Sequence, residues 1–348
     1  MTDRIPPPLA PAIERILKDL GHQSPFEAVV AGSAGSGRVY WRIGQAPHSH
    51  ILLVSHALDA DYDRFLAVSR HLRKVGLDVP NVHGSDDDAR QVVLEDLGSV
   101  LLLQQAHEAG FPGDGDGAAL QAAYRPVLRA LAVWQDLGTR HMHECPELVD
   151  RVFDLGPLLW ETSYFSRRCA EESFGFAPER LAEPDLLAEL HKLAVRVEGH
   201  DRRLMHRDFQ SQNLMSREGA IWFIDYQGAR PGSRWYDLAS LLWDPYVAMP
   251  MELRRSLFDE FFDLVPTPSR EQAWEQLLDA ALQRVMQALG AYGFLSRRKG
   301  LPWFSRFLVP GLEILSETLD GRGGHPALRR LVDELLAREP LPLPSAAS

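Results

Sequence analysis

The stretch that decides the fold is LMHRDFQSQNLM, residues 204–215. It sets a histidine, an arginine, an aspartate, two glutamines and an asparagine close together, and it brackets them with the apolar pairs Leu204–Met205 and Leu214–Met215. A solvated surface loop has no need for apolar residues at both ends. The pattern therefore predicts a polar loop whose two ends are anchored in the core.

The residues that follow predict a hairpin that returns the chain to this loop. Residues 214–229 read LMSREGAIWFIDYQGA, in which a Ser-Arg-Glu-Gly turn precedes an apolar run ending at Asp225. A hairpin of this size places Asp225 near Asp208 and Asn213. Mg²⁺ prefers hard oxygen ligands and is commonly held by one or two carboxylates together with substrate phosphates. The set suits phosphoryl transfer, with Asn213 and Asp225 on the metal and Asp208 accepting a proton from the attacking hydroxyl.

The first hundred residues offer an element that can hold a phosphate donor. Residues 32–41 read GSAGSGRVYW, and glycines allow backbone N–H groups to approach phosphates without a Cβ in the way. Such a turn is in itself equally compatible with an ordinary hairpin. Its combination with His-x-Asp-x4-Asn and a second aspartate favours nucleotide binding over the alternative, an Asx-rich hairpin whose side chains only cap the turn.

The hydrophobic patterns divide the chain into two parts. Strand patterns at residues 26–43, 50–56 and 88–98 surround an amphipathic helix at residues 61–77, whereas residues 118–338 are mainly of helical periodicity. The change falls at LEDLG, residues 94–98.

Composition excludes several classes of function. The formal charge is −11, and the basic stretch SRRKG, residues 296–300, is too short to be a footprint for a polyanion, so we expect no nucleic-acid partner. Two cysteines give neither a disulfide framework nor a zinc site. The N-terminal MTDRIPPPLAP has no apolar signal region and no run is long enough to span a membrane. We expect a cytoplasmic monomer.

The motif residues resemble a known family. HRDFQSQN (residues 206–213) and IDYQGA (224–229), with GSAGSG and VVLEDLG upstream, resemble the aminoglycoside phosphotransferase and choline kinase branch of the protein-kinase-like fold. More narrowly, the chain is similar to bacterial kinases that phosphorylate the anomeric hydroxyl of N-acetylmuramate and N-acetylglucosamine in cell-wall recycling. The narrower likeness is carried by residues 158–165, 204–215, 224–246 and 282–300.

This resemblance implies a fold and an activity. The fold would be α+β and two-lobed, with a small antiparallel-sheet N-lobe over residues 1–97, a larger, mainly helical C-lobe over residues 98–340 and a tail over residues 341–348. The activity would be transfer of phosphate from ATP, with Mg²⁺, to the anomeric hydroxyl of an N-acetylated amino sugar, giving the sugar 1-phosphate.

The resemblance also assigns roles to residues of this chain. Asp208 would be the general base, with Gln210 beside it, while His206 would brace the loop from beneath and Asp237 would bind loop backbone. Main-chain groups of Glu95 and Leu97 would face adenine, and the glycine-rich turn would cover the phosphates through Gly32, Ser33, Gly35, Ser36 and Gly37. Candidates for the acceptor site are Arg230, Gln283 and Arg284.

Some features depart from the family pattern or allow a structural interpretation. Kinases carry a lysine on the third strand, but HILLVSH, residues 50–56, has none and places Ser55 or His56 there. Gln210 stands where many relatives have histidine, and it adds no charge. Asp237 equally suits the N-cap of the following helix. Four aromatic residues at helical spacing fit the core better than a sugar platform: Trp160, Phe165, Trp235 and Trp243.

Two other functions remain open from the sequence. The acceptor could be an aminoglycoside or another amino alcohol, for which the acidic balance of the chain is a weak argument. The missing lysine would also fit a nucleotide-binding regulatory module that has lost catalysis. Retention of Asp208, Asn213 and Asp225 favours an active enzyme.

Overall fold

Five strands form an antiparallel sheet in the N-terminal part of the chain. The computed structural model describes residues 8–33, 37–265, 267 and 269–344. The strand order is β1-β2-β3-β5-β4, with helix α1 before the sheet and α2 between β3 and β4. The elements are α1 (Pro11–Asp19), β1 (Ala28–Ser33), β2 (Val39–Ile43), β3 (His50–Val54), α2 (Tyr62–Lys74), β4 (Val82–Asp86) and β5 (Gln91–Glu95).

The two helices cover opposite faces of this sheet, because successive side chains along a strand point to opposite sides. Leu52 and Val93 pack with α1 in a small separate cluster. Their neighbours Leu53 and Val92 belong instead to the large core that continues into the rest of the molecule, together with Phe65 of α2. The α2 face of the sheet is therefore the face joined to the helical part.

The remainder of the chain is mainly helical and holds two small antiparallel sheets, β6–β9 and β7–β8. The strands are β6 (Arg202–Met205), β7 (Leu214–Arg217), β8 (Ala220–Phe223) and β9 (Arg230–Ser233). The helices are α3 (Leu102–Glu108), α4 (Gly117–His141), α5 (Pro146–Val149), α6 (Leu155–Tyr164), α7 (Glu172–Phe174), α8 (Pro178–Leu181), α9 (Pro184–Glu198), α10 (Tyr236–Leu242), α11 (Met251–Phe262), α12 (Arg270–Arg297), α13 (Leu308–Arg322) and α14 (Pro326–Leu336), with a π-helix (Phe165–Glu171) between α6 and α7. The predicted α+β architecture is confirmed.

The polar stretch of residues 206–213 connects β6 to β7, so each of its ends continues into a paired strand. β7 and β8 pair from Leu214↔Phe223 to Arg217↔Ala220 around a turn at Glu218 and Gly219, whose φ angles are 54° and 80°. Positive φ at both central residues is the type I′ geometry that matches the twist of a two-residue hairpin. The hairpin therefore returns the chain to the loop, as the sequence predicts.

Helix α2 ties the N-terminal sheet to the segment that follows Asp225. The buried Arg64 donates from Nε to the Gln227 carbonyl at 2.8 Å and from Nη2 to the Ala229 carbonyl at 2.7 Å. The Tyr226 hydroxyl donates to Ser69 of the same helix at 2.9 Å. Because these carbonyls lie in the core, their pairing fixes the backbone beside Asp225.

Within the described ranges, no helix combines the length and the apolar character needed to cross a membrane.

Replacing Arg64 tests this connection. Arg64→Met would leave two buried carbonyls and the Asp150 carboxylate without their partner, so we expect the free energy of unfolding to fall by about 3 kcal/mol. The measurement is urea unfolding followed by circular dichroism. Arg70→Met, at an exposed position of the same helix, should change stability by less than about 0.5 kcal/mol. Equal effects of the two substitutions would contradict the prediction.

Candidate functional site

Asp237 holds the start of the polar loop. Its carboxylate is fully buried, at 0% exposure, and accepts the backbone N–H of His206 at 2.7 Å and that of Arg207 at 2.9 Å. Burial raises the pKa of this carboxyl to about 7, and the two N–H donors oppose that rise. Helix α10 begins at Tyr236 without a side-chain cap from Asp237. The geometry therefore directs Asp237 to the loop and not to the helix.

Arg207 adopts a backbone conformation that residues other than glycine rarely take. Its φ is 80°, in the left-handed region. Such strain typically costs about 1–3 kcal/mol and persists where the surroundings hold it. Here the hydrogen bond to Asp237 holds the residue immediately before Asp208.

His206 lies in the interior beneath the loop. Its Nε2 is 3.1 Å from the Ile224 carbonyl, which can only accept, so the imidazole carries its proton on Nε2. The ring packs against Trp134, Phe209 and Phe223. Burial lowers the pKa of His206 to about 4, so the ring is neutral at pH 7.

Asp208 and Asn213 are joined within the loop. The Asn213 amide nitrogen donates to the Asp208 carbonyl at 2.9 Å, and the Gln210 N–H donates to the same carbonyl at 2.9 Å. The first of these bonds uses the amide nitrogen of Asn213 and leaves its amide oxygen, the atom that a hard cation would bind. The side chain of Gln210 instead accepts a hydrogen bond from Arg284 at 3.2 Å.

The hairpin brings Asp225 to this loop. The Ile224 N–H donates to the Asn213 carbonyl at 3.0 Å, extending the β7–β8 ladder by one step. Asp225 has φ 62°, a left-handed conformation that aspartate tolerates better than most residues. Burial raises the pKa of Asp225, and the nearby charge of Asp208 raises it further. The structure thus brings together Asp208, Asn213 and Asp225.

The closely spaced carboxylates of Asp208 and Asp225 suit the binding of a divalent cation, because a cation would offset the repulsion that raises the pKa of Asp225. The described residues contain no group of three or more histidine, cysteine, aspartate or glutamate side chains able to hold a metal ion. A cation at this position would draw on Asp225, on the Asn213 amide oxygen and on oxygens of a substrate.

The glycine-rich turn is described only at its two ends. Gly32 and Ser33 pair with Tyr40 and Val39 in the β1–β2 ladder, while Gly35 and Ser36 lie outside the described residues. Gly37 has φ 86°, and a Cβ there would lie 3.1 Å from Cδ2 of His56. Glycine is therefore favoured at position 37 both by conformation and by the close approach of the chain leaving β3.

Glu95 and Leu97 lie on the connection from the sheet to the helical part. The Glu95 carboxylate accepts from Arg217 Nη1 at 2.7 Å, which links β5 to β7. The side chain of Leu97 is buried. Between them, Asp96 accepts from Nε of Arg42 on β2 at 2.5 Å. These contacts give the connection a defined conformation from both sides.

The three acceptor-site candidates have different surroundings. Gln283 has 0% exposure and donates to the Leu158 carbonyl at 2.8 Å and to Glu161 at 3.1 Å, so it contributes to the interior of the helical part. Arg284 reaches the polar loop through Gln210. Arg230 is half-buried and donates to the Gly228 carbonyl at 2.8 Å.

Positive charge gathers beside Asp208. Nη1 of Arg207 lies 3.7 Å from the Asp208 carboxylate, and the charges of Arg230 and Arg284 also act on that group. Burial and, to a smaller extent, the neighbouring charge of Arg207 lower the pKa of Arg230 to about 10, so the side chain stays protonated at pH 7. The arrangement offers charge to an anionic group bound next to Asp208.

Several residues of the site were not found from the sequence. The buried Glu161 accepts from the Tyr236 hydroxyl at 2.8 Å, and burial raises its pKa to about 7. Asp244 accepts both the N–H and the hydroxyl of Ser211 in the polar loop. Residues 158–165 and 224–246, which carry the narrower resemblance, contain these acids, and an acid among apolar residues is the signal that could have identified them.

Sequence comparisons place the chain among phosphotransferases. The profile of the phosphotransferase enzyme family matches residues 28–274. The chain is 27% identical over 331 residues to the N-acetylmuramate/N-acetylglucosamine kinase of Pseudomonas aeruginosa, covering 92% of this chain and 90% of the relative. It is 24% identical over 340 residues to the protein of that name from Pseudomonas putida, covering 93% and 95%.

Solved structures show the same fold. The choline kinase from Cryptosporidium parvum superposes with a TM-score of 0.63 at 12% identity, over 92% of this chain and 99% of that one. The GDP complex of aminoglycoside 2'-phosphotransferase-IIIa gives a TM-score of 0.59 at 14% identity, over 90% and 99%. The two-lobed, protein-kinase-like fold expected from the sequence is confirmed.

The buried His206 makes stability depend on pH. Its pKa falls from an ordinary 6.5 to about 4 on folding, so the unfolded chain takes up a proton between these values and the folded protein does not. The stability from neutral His206 is complete above pH 6.5 and is lost as pH falls toward 4. Between pH 7.5 and pH 5, the free energy of unfolding should fall by about 2 kcal/mol more in the wild type than in His206→Gln, which keeps an N–H donor.

Urea unfolding at the two pH values measures this difference directly. The other histidines titrate in both proteins, so subtracting one profile from the other isolates His206. Identical profiles would show that folding does not change the pKa of His206.

Proposed function

Because the chain belongs to the phosphotransferase enzyme family, we propose that it transfers the γ-phosphoryl group of ATP to the anomeric hydroxyl of an N-acetylated amino sugar. The product would be the sugar 1-phosphate. Support comes from the relatives named N-acetylmuramate/N-acetylglucosamine kinase and from Asp208, which lies beside an amide, a second carboxylate and three arginines. The cell-wall recycling role implied by the sequence resemblance fits this product.

Asp208 would act as the general base. Its carboxylate accepts the proton of the sugar hydroxyl while the oxygen attacks the γ-phosphorus, and the bond to the oxygen of ADP breaks. The side-chain amide of Asn213 and the backbone N–H of Gln210 both donate to the backbone carbonyl of Asp208. These bonds fix the backbone position from which the Asp208 carboxylate extends. Phosphoryl transfer requires positioning more than covalent chemistry, which suits a base on a braced loop.

Asn213 and Asp225 would hold Mg²⁺ together with phosphate oxygens. When bound, the ion neutralises charge that develops on the phosphates. The residues fit it, because the amide oxygen of Asn213 is not used within the loop and the Asp225 carboxylate is crowded by Asp208. The connection at Glu95 and Leu97 would receive adenine, and the turn from Gly32 to Gly37 would cover the phosphates.

The arginines beside Asp208 would determine which class of acceptor binds. N-acetylmuramate has a lactyl carboxylate, whereas aminoglycosides and choline are cations, which Arg207, Arg230 and Arg284 would repel. We therefore propose that the acceptor side binds an anionic sugar and also accepts its neutral analogue N-acetylglucosamine. Gln283 would act from a distance, through Glu161.

The remaining features of the proposal concern where and how the enzyme acts. ATP is available in the cytoplasm, and both cysteines are buried free thiols, as suits a reducing compartment. We propose that the enzyme acts as a monomer. The N-lobe of residues 1–97 and the C-lobe of residues 98–340 would enclose ATP between them.

Asp208→Asn tests the assigned base. We expect ADP release from wild type with ATP, Mg²⁺ and N-acetylmuramate or N-acetylglucosamine, and a fall in kcat of about 10²–10⁴-fold in the variant. Phosphorus NMR of the product should show coupling to the anomeric proton. Asp136→Asn, an exposed change on α4, is the matched control and should leave kcat unchanged.

Two results would overturn the assignment. Turnover of choline or an aminoglycoside in preference to the sugars would favour the amino-alcohol alternative. Nucleotide binding without ADP release on any acceptor would favour a regulatory module that has lost catalysis.

Arg230→Met tests the acceptor chemistry. Losing a charge-assisted contact to the lactyl carboxylate should lower kcat/KM for N-acetylmuramate about tenfold. The value for N-acetylglucosamine, which lacks the carboxylate, should change by less than about threefold. Arg203→Met removes a surface arginine paired with Asp201 and should change neither value. Equal losses for both sugars would show that Arg230 supports the loop without binding the carboxylate.

A further inference from the structure

The strand that should carry a phosphate-binding lysine does not have one. β3 spans His50–Val54, and Ser55 follows it. The Ser55 hydroxyl donates to Oδ2 of Asp59, so it supports a carboxylate and supplies no charge. A cation for the phosphates has to come from another element.

Arg38 is a buried cation on the connection between β1 and β2. It follows Gly37 at the entrance to β2, and its exposure is 1%. Its Nε donates to Oδ2 of Asp59 at 2.7 Å. Burial alone would lower the pKa of Arg38, but the hydrogen bond to Asp59 and the nearby charges of Asp59 and Asp225 together raise it, so the guanidinium stays charged.

The ion pair with Asp59 occupies only part of the Arg38 guanidinium. Oδ2 of Asp59 accepts from Arg38 and Ser55, while Oδ1 accepts the N–H of Asp61 at 3.0 Å. Nη1 of Arg38 is buried without a hydrogen bond of good geometry, although the Tyr40 hydroxyl lies close to the guanidinium. A buried charged N–H group without a partner costs free energy, so its position calls for an acceptor.

The surroundings indicate which acceptor that is. Arg38 continues directly from the glycine-rich turn on one side, and on the other side the charge of Asp225 acts on its guanidinium. The group therefore lies between the turn that would cover the phosphates and the carboxylate that would hold their metal ion. An anionic oxygen entering between these elements would complete the bonding of Nη1.

We propose that Arg38 binds the phosphates of ATP in place of the missing third-strand lysine, with Asp59 as the residue that positions it. The inference rests on the proposed kinase function. Asp59 lies just before α2, so the ion pair links the nucleotide to this helix. Because α2 also holds the segment after Asp225 through Arg64, one helix would align the phosphate-binding cation with the metal-binding carboxylate.

Arginine changes the chemistry relative to lysine. Its planar guanidinium presents several N–H groups, so it can keep Asp59 on Nε and still donate to a phosphate oxygen from Nη1. The ammonium group of lysine, at the end of a flexible side chain, does not hold its N–H groups in such fixed directions. The arrangement explains how a chain without a lysine on β3 can retain a charged contact to ATP.

The test compares nucleotide affinities, measured by calorimetry on the whole protein, for ATP, ADP and adenosine. Arg38→Met should weaken ATP and ADP binding tenfold or more while adenosine changes by less than twofold. Asp59→Asn should weaken ATP more than adenosine, because the guanidinium loses its orientation. Arg15→Met removes an exposed arginine of α1 and is the matched control, expected to change none of the three.

Each possible outcome either supports or contradicts the proposal. Unchanged ATP affinity in Arg38→Met, or equal weakening for all three ligands, would show that the arginine is only structural. Should Arg38→Met not fold, Arg38→Lys retains the charge and the pair, and at least a threefold loss for ATP with adenosine unchanged is expected; unchanged ATP affinity would overturn the proposal. A wild type that binds no ATP would overturn the kinase function itself, which separates the two failures.

Discussion

The site depends on one buried interaction, the acceptance of two consecutive backbone N–H groups by the carboxylate of Asp237. Without it, Arg207 would relax from its left-handed conformation, and Asp208 would turn away with it. The carboxylate is costly to bury, and its pKa of about 7 reflects that cost. Helix α10 therefore holds a strained loop in one defined shape, and the loop supports Asp237 in return.

The parts of the site that were predictable are those built by local pairing. Two residues with positive φ make the turn at Glu218 and Gly219, and the ladder they begin runs back to Ile224 and Asn213. Such a hairpin follows from its own residues, so the meeting of Asp225 with the loop could be inferred from spacing alone. The same holds for the division of the chain into strands and helices, because hydrophobic periodicity is a local property.

The parts that were not predictable depend on contacts between distant segments. Nothing around Arg38 in the sequence shows that Asp59 will pair with it, and nothing around Gln283 shows that a helix will bury it against Glu161. Local periodicity also predicts a regular helix where the structure has the π-helix. There, Gly293 of α12 approaches so closely that an added Cβ would lie 2.2 Å from the carbonyl oxygen of Arg168. Packing between helices decides such details, and no short pattern encodes it.

The distribution of charge explains how an acidic protein can bind anionic substrates. A formal charge of −11 would repel ATP and a sugar acid at long range, but salt screens exposed charges beyond about 8 Å at physiological ionic strength. Close to the site the nearest charges decide, and there Arg38 lies near Asp225 while Arg207, Arg230 and Arg284 lie around Asp208. Burial and the charges of neighbouring arginines lower the pKa of Arg230, so its charge is not fully compensated within the chain. A bound anion would offset the repulsion between Arg230 and its neighbouring arginines, which favours substrates that carry phosphate or carboxylate groups.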